Sequence, residues 1–284
     1  MKQTDVKYQT PEYPRQIRLD TTNFCNATCK SCHRFLSQRK GNMPIEMINR
    51  VLDDVSRWKE PLSEVIPVNY GEFFLRNNWQ TILSMISHKL PKTQITLPTN
   101  GSKLNSDVIR DLCKIPTVKL LNFSINGFFD ETYEAFMGLP ASNIANIEKS
   151  ILQVKAQRPD IKTWASMVFD PIYQADAERD YFVSYWKNKV DTVWTISASS
   201  AARPEKQAII PRLMPCRSIF SDLVIGYDGK LSSCCWDSSF SMDLGYYSGN
   251  AHADWHNPKL EALRRLHNEG RRQEDGLCKN CTSA

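Results

Sequence analysis

The chain has 284 residues, 41% of them hydrophobic, enough to bury one large domain or a large and a small one. Its net charge of +5 is modest, and no basic run is interleaved with aromatics, so nucleic acid is not an expected partner. No apolar run approaches the roughly 18 residues of a membrane span, and the polar start MKQTDVKYQTPEYPRQ lacks a signal-peptide stretch. A cytoplasmic protein is expected, and in that compartment nine cysteines, several in close pairs, mean metal ligation rather than disulfides.

Residues 1–14 carry two prolines and read as an irregular lead-in. A short strand follows over Arg15–Asp20, then Thr21-Thr22-Asn23 and a loop with three cysteines. Pro44–Lys59 has apolar residues at helical spacing, with Pro at its start. A strand over Ser63–Asn69 runs into Tyr70-Gly71-Glu72-Phe73, and a helix covers Trp79–His88. The strand from Gln94 ends in Thr99-Asn100-Gly101, a turn signal. A helix over Asp107–Lys114 carries Cys113, expected as a small buried apolar residue. The strand from Val118 contains Ser124 and Asn126, whose alternation points both to one face, and Asp130 is the expected N-cap of the next helix. Helices at Asn143–Gln157 and Asp176–Lys189 flank strands at Thr163–Phe169 and Asp191–Ser197.

Strands and helices thus alternate through residues 15–200, which predicts a parallel sheet with crossover helices. Six such units cannot close an eight-stranded barrel. The expected fold class is α/β, a partial (β/α)6 TIM-like barrel over residues 1–203. Its open side leaves room for a small hairpin-plus-helix module over 204–284, after a linker at Ala198–Pro204.

The loop Cys25-Asn-Ala-Thr-Cys29-Lys-Ser-Cys32 has the spacing C-x3-C-x2-C at the C-terminal end of a strand, the functional end of barrel strands. Three close thiolates suit a structural zinc ion, with His33 as fourth ligand, or a 4Fe–4S cube with one iron left open. The loop resembles the cluster loop of the radical S-adenosylmethionine (SAM) enzymes, whose open iron binds the amino and carboxylate groups of SAM. That family usually has an aromatic residue before the third cysteine. Ser31 stands there, which leaves the adenine contact to Phe24, His33 or Phe35. The family's Gly-Gly-Glu-Pro, which receives the SAM amino group, is matched by Gly71 and Glu72 but not by Tyr70 and Phe73. The resemblance further implies Thr99 and Asn100 near the ribose and methionine of SAM, and Ser124 and Asn126 lining its pocket.

In the last eighty residues, Cys216 precedes Leu223-Val-Ile-Gly-Tyr-Asp228-Gly229-Lys-Leu-Ser-Ser-Cys234-Cys235, where Asp-Gly between apolar runs signals a hairpin. An amphipathic helix covers Pro258–Gly270, and Cys278-Lys-Asn-Cys281 follows. Spacing alone allows structural zinc. The order Cys…Gly-x4-Cys…Gly249-Asn250…helix…Cys-x2-Cys resembles the twitch module, the shortened form of the SPASM extension of radical SAM enzymes. The resemblance implies an auxiliary 4Fe–4S cluster on Cys216, Cys234, Cys278 and Cys281. Neighbouring strand residues point to opposite sides, so Cys235 is left free, as a packing residue or a hydrogen-atom donor.

Together the two resemblances span residues 15–281. They imply an enzyme with two 4Fe–4S clusters that cleaves SAM to a 5′-deoxyadenosyl radical and abstracts hydrogen from a substrate C–H. The auxiliary cluster would accept the remaining electron, as in the twitch dehydrogenases, and a flavodoxin- or ferredoxin-type protein would supply the reductant. The lead-in is too short for a leader-binding domain, which favours a small polar or alcohol substrate over a peptide. Peptide modification (epimerisation, cross-linking or residue oxidation) is the alternative enzyme reading. A non-catalytic zinc protein would explain the cysteines but not the Gly-Glu and Asn-Gly turns at successive strand ends.

Overall fold

The computed structural model describes residues 6–37, 39–198, 214–279 and 281. The linker expected at Ala198–Pro204 lies, after Ala198, outside these residues, as does the boundary at 203/204.

Six parallel strands form most of one sheet: β1 (Gln16–Leu19), β2 (Glu64–Ile66), β3 (Gln94–Thr99), β4 (Val118–Ser124), β5 (Lys162–Phe169) and β6 (Thr192–Ser197). Between them run α1 (Ile45–Val55), α2 (Trp79–Lys89), α3 (Ser106–Leu112), α4 (Asp130–Met137), α5 (Ser142–Gln157) and α6 (Asp176–Trp186). Their apolar faces bury Ile48, Val51, Leu52, Ile82, Ile86, Ile147 and Phe182 against the sheet. Ile17 and Leu19 of β1 point into the same core, while Gln16 and Arg18 alternate to the other side. This is the expected partial barrel.

Strand β2 is shorter than its apolar run suggests. Pro67 follows it directly, and the chain then turns so that the amides of Asn69 and Tyr70 donate to Asp20 Oδ1 at 3.2 and 3.3 Å. The helix after β4 begins one residue earlier than expected. Phe129 occupies the N-cap position with no side-chain bond, and Asp130 lies in the first turn. The buried carboxylate of Glu178 accepts from the amides of Phe128 and Phe129 there, at 2.6 and 3.2 Å. Cys113 is half-buried at the C-cap of α3 rather than deep in the core.

The hairpin does not stand apart as a cover. Its first strand, β7 (Asp222–Ile225), pairs in parallel with β1 from Gln16↔Asp222 to Leu19↔Ile225, and β8 (Leu231–Ser232) pairs antiparallel to β7. The sheet therefore has eight strands, in the order β6-β5-β4-β3-β2-β1-β7-β8. Strand β7 is buried along its whole length, as its continuous apolar run requires. Gly249, with φ +94°, and Asn250 start a short helix, α7 (Ala251–Trp255), in which Asn250 Oδ1 accepts from the Ala253 amide at 3.0 Å. The Gly-Asn pair is thus a helix start. Asp54 of α1 accepts from the Ala251 amide and Tyr247 hydroxyl at 2.5 and 3.1 Å, fixing the module to the barrel. Helix α8 (Pro258–Asn268) then leads to the last two cysteines.

Candidate active site

The strand ends surround a cavity of about 290 Å³. All nine residues expected there line it: Cys25, Cys29 and Cys32, Gly71 and Glu72, Thr99 and Asn100, and Ser124 and Asn126. The cysteine loop is held from beneath by the C-terminal end of α4. The amides of Thr28 and Lys30 donate to the carbonyls of Met137 and Phe136 at 2.8 and 2.9 Å. Gly138, with φ +64°, ends that helix, and a Cβ there would strike the Thr28 side chain. These α4 contacts were not singled out in the sequence, although a glycine closing a helix is a readable signal.

Gly71 has a steric cause. A Cβ on it would overlap the carbonyl oxygen of Thr22, because the Gly71-Glu72 turn packs on the chain entering the cysteine loop. The Glu72 amide donates to the Phe24 carbonyl at 2.9 Å in the same contact. The Glu72 carboxylate is buried. Oε1 accepts from Thr99 Oγ1 at 2.9 Å and the Phe74 amide at 3.3 Å, and Oε2 from the Asn100 amide at 2.8 Å. Burial pushes its pKa up, and these hydrogen bonds oppose the rise. A carboxylate offers about four lone-pair sites. One remains on Oε2, and a cationic donor there would offset the cost of burying the charge. Asn100 Nδ2 donates to Asn26 Oδ1 at 3.0 Å, and Asn126 Oδ1 accepts from the Val168 amide at 2.9 Å.

Of the three candidates for the adenine contact, Phe24 and Phe35 are 43% and 55% exposed and do not line the cavity. His33 lines it and is buried. Its Nδ1 lies 3.2 Å from the Trp236 carbonyl, and its ring packs on the Trp236 indole at 4.6 Å. Arg18, Tyr70, Cys235 and Trp236 line the same cavity, and the Tyr70 hydroxyl donates to the Cys235 carbonyl.

A second cavity, of about 180 Å³, is lined by Cys216, Cys234, Cys278 and Cys281 together with Trp236. Two residues not flagged in the sequence shape it. The Cys216 amide donates to His267 Nδ1 at 3.0 Å, and burial lowers the His267 pKa to about 4, leaving that lone pair free to accept. Asp275 Oδ1 accepts from the amides of Leu277 and Cys278 at 3.0 and 3.1 Å and so shapes the C-x2-C turn. Cys235 is absent from this cavity's lining; it and Cys234 follow the end of β8 at Ser232, where the chain turns, so strand alternation is not the cause.

The two metal readings differ in the sulfur spacing they need. Ligands on one tetrahedral zinc, at about 2.3 Å each, lie roughly 3.8 Å apart. Among the described residues, no three cysteine sulfurs lie within 4.8 Å of one another. His33 Nδ1 lies against the Trp236 carbonyl, which leaves its buried Nε2 without a hydrogen-bond partner. Burial pushes the Cys29 thiol up to about 12, with Cys32 and Cys25 adding to the rise, and it raises Cys25 and Cys32 as well. In the second cavity burial raises Cys234, with the Cys235 charge adding, and raises Cys278, with Asp275 adding. Such thiols keep their protons unless a cation replaces them, and cluster iron does so. Both donor sets fit a 4Fe–4S cluster.

A partial barrel whose strand ends gather three thiolates and a buried carboxylate, beside a second four-cysteine cavity, defines a cluster-binding α/β enzyme. The model of the radical SAM superfamily matches residues 19–178, and that of an iron–sulfur cluster-binding domain (SPASM) matches residues 216–282. This chain belongs to the radical SAM superfamily and is an enzyme of that class, dependent on SAM and two 4Fe–4S clusters. It is 22% identical over 274 residues to the S-adenosyl-L-methionine-dependent 2-deoxy-scyllo-inosamine dehydrogenase of Niallia circulans, covering 94% of this chain and 92% of that one. Among solved structures it is similar to BtrN in complex with AdoMet and 2-DOIA (TM-score 0.67, 18% identity, 98% of this chain and 95% of that one). It is similar also to Streptococcus suis SuiB bound to precursor peptide SuiA (TM-score 0.69, 14% identity, 96% and 70%). No helix among the described residues is long and apolar enough to cross a membrane.

Proposed function

We propose that the protein is a radical SAM oxidoreductase that dehydrogenates a small polar or alcohol substrate, with residues 1–203 as the barrel and 204–284 as a twitch module. Cys25, Cys29 and Cys32 hold the SAM-binding cluster, and Cys216, Cys234, Cys278 and Cys281 the auxiliary one. Bound there, these groups supply a 5′-deoxyadenosyl radical to take one hydrogen atom and an acceptor for the one electron left behind, while the substrate hydroxyl loses a proton. The chain's own residues bind and orient. The free site on Glu72 takes the SAM amino group, and Gly71 lets that turn lie against the cysteine loop. Thr99, Asn100, Ser124 and Asn126 shape the walls around SAM. His33, held by the Trp236 carbonyl, is the adenine-facing side chain. A cytosolic setting with a flavodoxin- or ferredoxin-type reductant suits a chain with nine cysteines.

The observation that carries this reading is the placement of one tripeptide. Cys234 lines the auxiliary cavity, Cys235 the SAM cavity, and Trp236 both. A substrate lodged against that wall lies between the radical source and the electron acceptor. The dehydrogenase relative supports the reaction type and a small polar substrate.

Cys235 favours one second reading. Its thiol lines the cavity where a substrate radical would form. Returning a hydrogen atom from that thiol inverts the carbon without net oxidation and leaves a thiyl radical, which takes one electron and one proton from the reductant supply and solvent. Anaerobic reconstitution should yield about eight irons per chain, two four-iron clusters. Incubation with substrates deuterated at an alcohol carbon should then place deuterium in 5′-deoxyadenosine. Two zinc ions with no sulfide would end the proposal, and an inverted rather than oxidised product would select the second reading.

A further inference from the structure

Apart from both cysteine-lined cavities, the lead-in crosses the second module at α7. Trp255 is fully buried, and its indole Nε1 donates to the Pro11 carbonyl at 2.9 Å. The next lead-in residue, Glu12, faces His252 and His256. These histidines are four positions apart, on α7 and its C-cap, and so share one face. One ligand atom from each of Glu12, His252 and His256 lies within 4.8 Å of the other two.

The contacts there leave a hydrogen-bonding conflict. His256 Nε2 lies 2.9 Å from the Glu12 carbonyl oxygen, and its Nδ1 lies 3.4 Å from Glu261 Oε1. A neutral imidazole has one N–H to donate. Whichever nitrogen carries it, the other presents a lone pair to an oxygen. On the same face the Glu12 carboxylate lies 2.8 Å from His252 Nε2. Two imidazoles and a carboxylate therefore converge where a cation would satisfy them.

We infer that Glu12, His252 and His256 form a binding site for a divalent metal ion of the zinc class. Two imidazole nitrogens and one carboxylate oxygen are a common donor set for such ions, and water can fill the fourth position. Bond lengths of about 2.1 Å put tetrahedral ligands roughly 3.4 Å apart. The 2.8 Å contact between Glu12 and His252 must open by about half an ångström, and the Glu12 side chain, 66% exposed, is free to do so. The orienting group is already in place. With Nε2 on the metal, His256 Nδ1–H donates to Glu261, the arrangement that fixes ring and tautomer at many metal sites. Glu261 is itself held at 2.6 Å by Arg264 Nη1, whose side chain is 1% exposed. The bound ion ties the lead-in to the second module through ligands that include no cysteine. Such a tie survives oxidation that destroys iron–sulfur clusters.

The test uses anaerobic, cluster-loaded protein titrated with zinc ion against a chromophoric competitor, with metals counted by elemental analysis. One zinc per chain beyond the cluster iron is expected. His252→Ala and His256→Ala should lose it, and Glu261→Gln should bind roughly 10- to 100-fold more weakly. Iron content should match the wild type in every variant. Cobalt(II) in place of zinc should give a spectrum of nitrogen and oxygen ligation without thiolate charge-transfer bands. If a histidine variant folds poorly, Glu12→Gln reads the same site from an exposed position. Unchanged zinc affinity in Glu12→Gln and His252→Ala, a thiolate spectrum, or no binding at micromolar zinc would each overturn the assignment.

Discussion

Cys25, Cys29 and Cys32 come from one loop, whereas Cys216, Cys234, Cys278 and Cys281 are drawn from almost the whole second module. The first set is placed by a strand end and by a helix C-terminus, distant in sequence, whose Phe136 and Met137 carbonyls catch the loop backbone. The second depends on a hairpin, a helix and two remote polar residues, His267 and Asp275, arriving together. Assembly of the first cavity therefore reports on the folding of the whole barrel, since its lining runs from Arg18 to Trp236, while that of the second reports mainly on the folding of the module. The first also has Glu72 and Asn100 at hand for a ligand.

Removing one thiolate set while sparing the other probes this contrast most sharply. Cys25, Cys29 and Cys32 all changed to Ala should abolish 5′-deoxyadenosine formation and halve the iron, leaving the auxiliary spectrum intact. Residual SAM cleavage would show that the first cavity is not the SAM site. A smaller effect is expected from Glu72→Gln, which loses a charge-assisted hydrogen bond of roughly 1.5–3 kcal/mol. SAM affinity measured by equilibrium binding should fall about 10- to 100-fold. An affinity equal to the wild type would reduce Glu72 to its structural bonds with Thr99 and Asn100.

A third test concerns pH. Asp20, which holds the turn before Gly71, is fully buried, and burial raises its pKa to about 6, against opposing hydrogen bonds from Tyr70 and Asn69. A carboxyl raised in the folded state favours folding while protonated. That contribution is complete below about pH 4 and is lost as pH rises through 6, up to roughly 3 kcal/mol. Denaturant titrations at pH 4 and pH 7 should show this loss in the wild type and a flatter profile in Asp20→Asn, whose amide oxygen still accepts. An identical profile in the variant would remove Asp20 from the account. The smallest effect is expected from Cys235→Ala. It should retain both clusters and the same product. Loss of the auxiliary cluster would mean that Cys235, not Cys234, is the ligand, and loss of an inverted product would make it the hydrogen donor.

The sequence carried much of the first cavity because its signals are local. The C-x3-C-x2-C loop, Gly-Glu after a strand and Asn-Gly after the next are each short patterns at strand ends. Ser124 and Asn126 followed from two-residue alternation. The pairing of β7 with β1 was not legible, because an Asp-Gly turn predicts only that the two hairpin arms pair with each other. Helix α7 is five residues long, too short for periodicity. His267 and Asp275 act through single hydrogen bonds, which leave no pattern in a sequence. Phe24 and Phe35 were candidates because they neighbour the cysteines, yet neighbours on an irregular loop need not face the same way.

The parallel register of β7 on β1 has a mechanical consequence. A module joined to a barrel by a flexible tether would swing, and the gap between two redox centres would vary with it. Electron tunnelling falls off exponentially with distance, so occasional close approaches would dominate the average rate. Here four residue pairs stitch the two units into one sheet, from Gln16↔Asp222 to Leu19↔Ile225. The chain running from β8 to Trp236 is carried by that same sheet, so the spacing between the cavities is a property of the backbone lattice. Hydrogen exchange of the β1 and β7 amides should then report the longest-lived region of the protein, and breathing elsewhere should leave the gap unchanged.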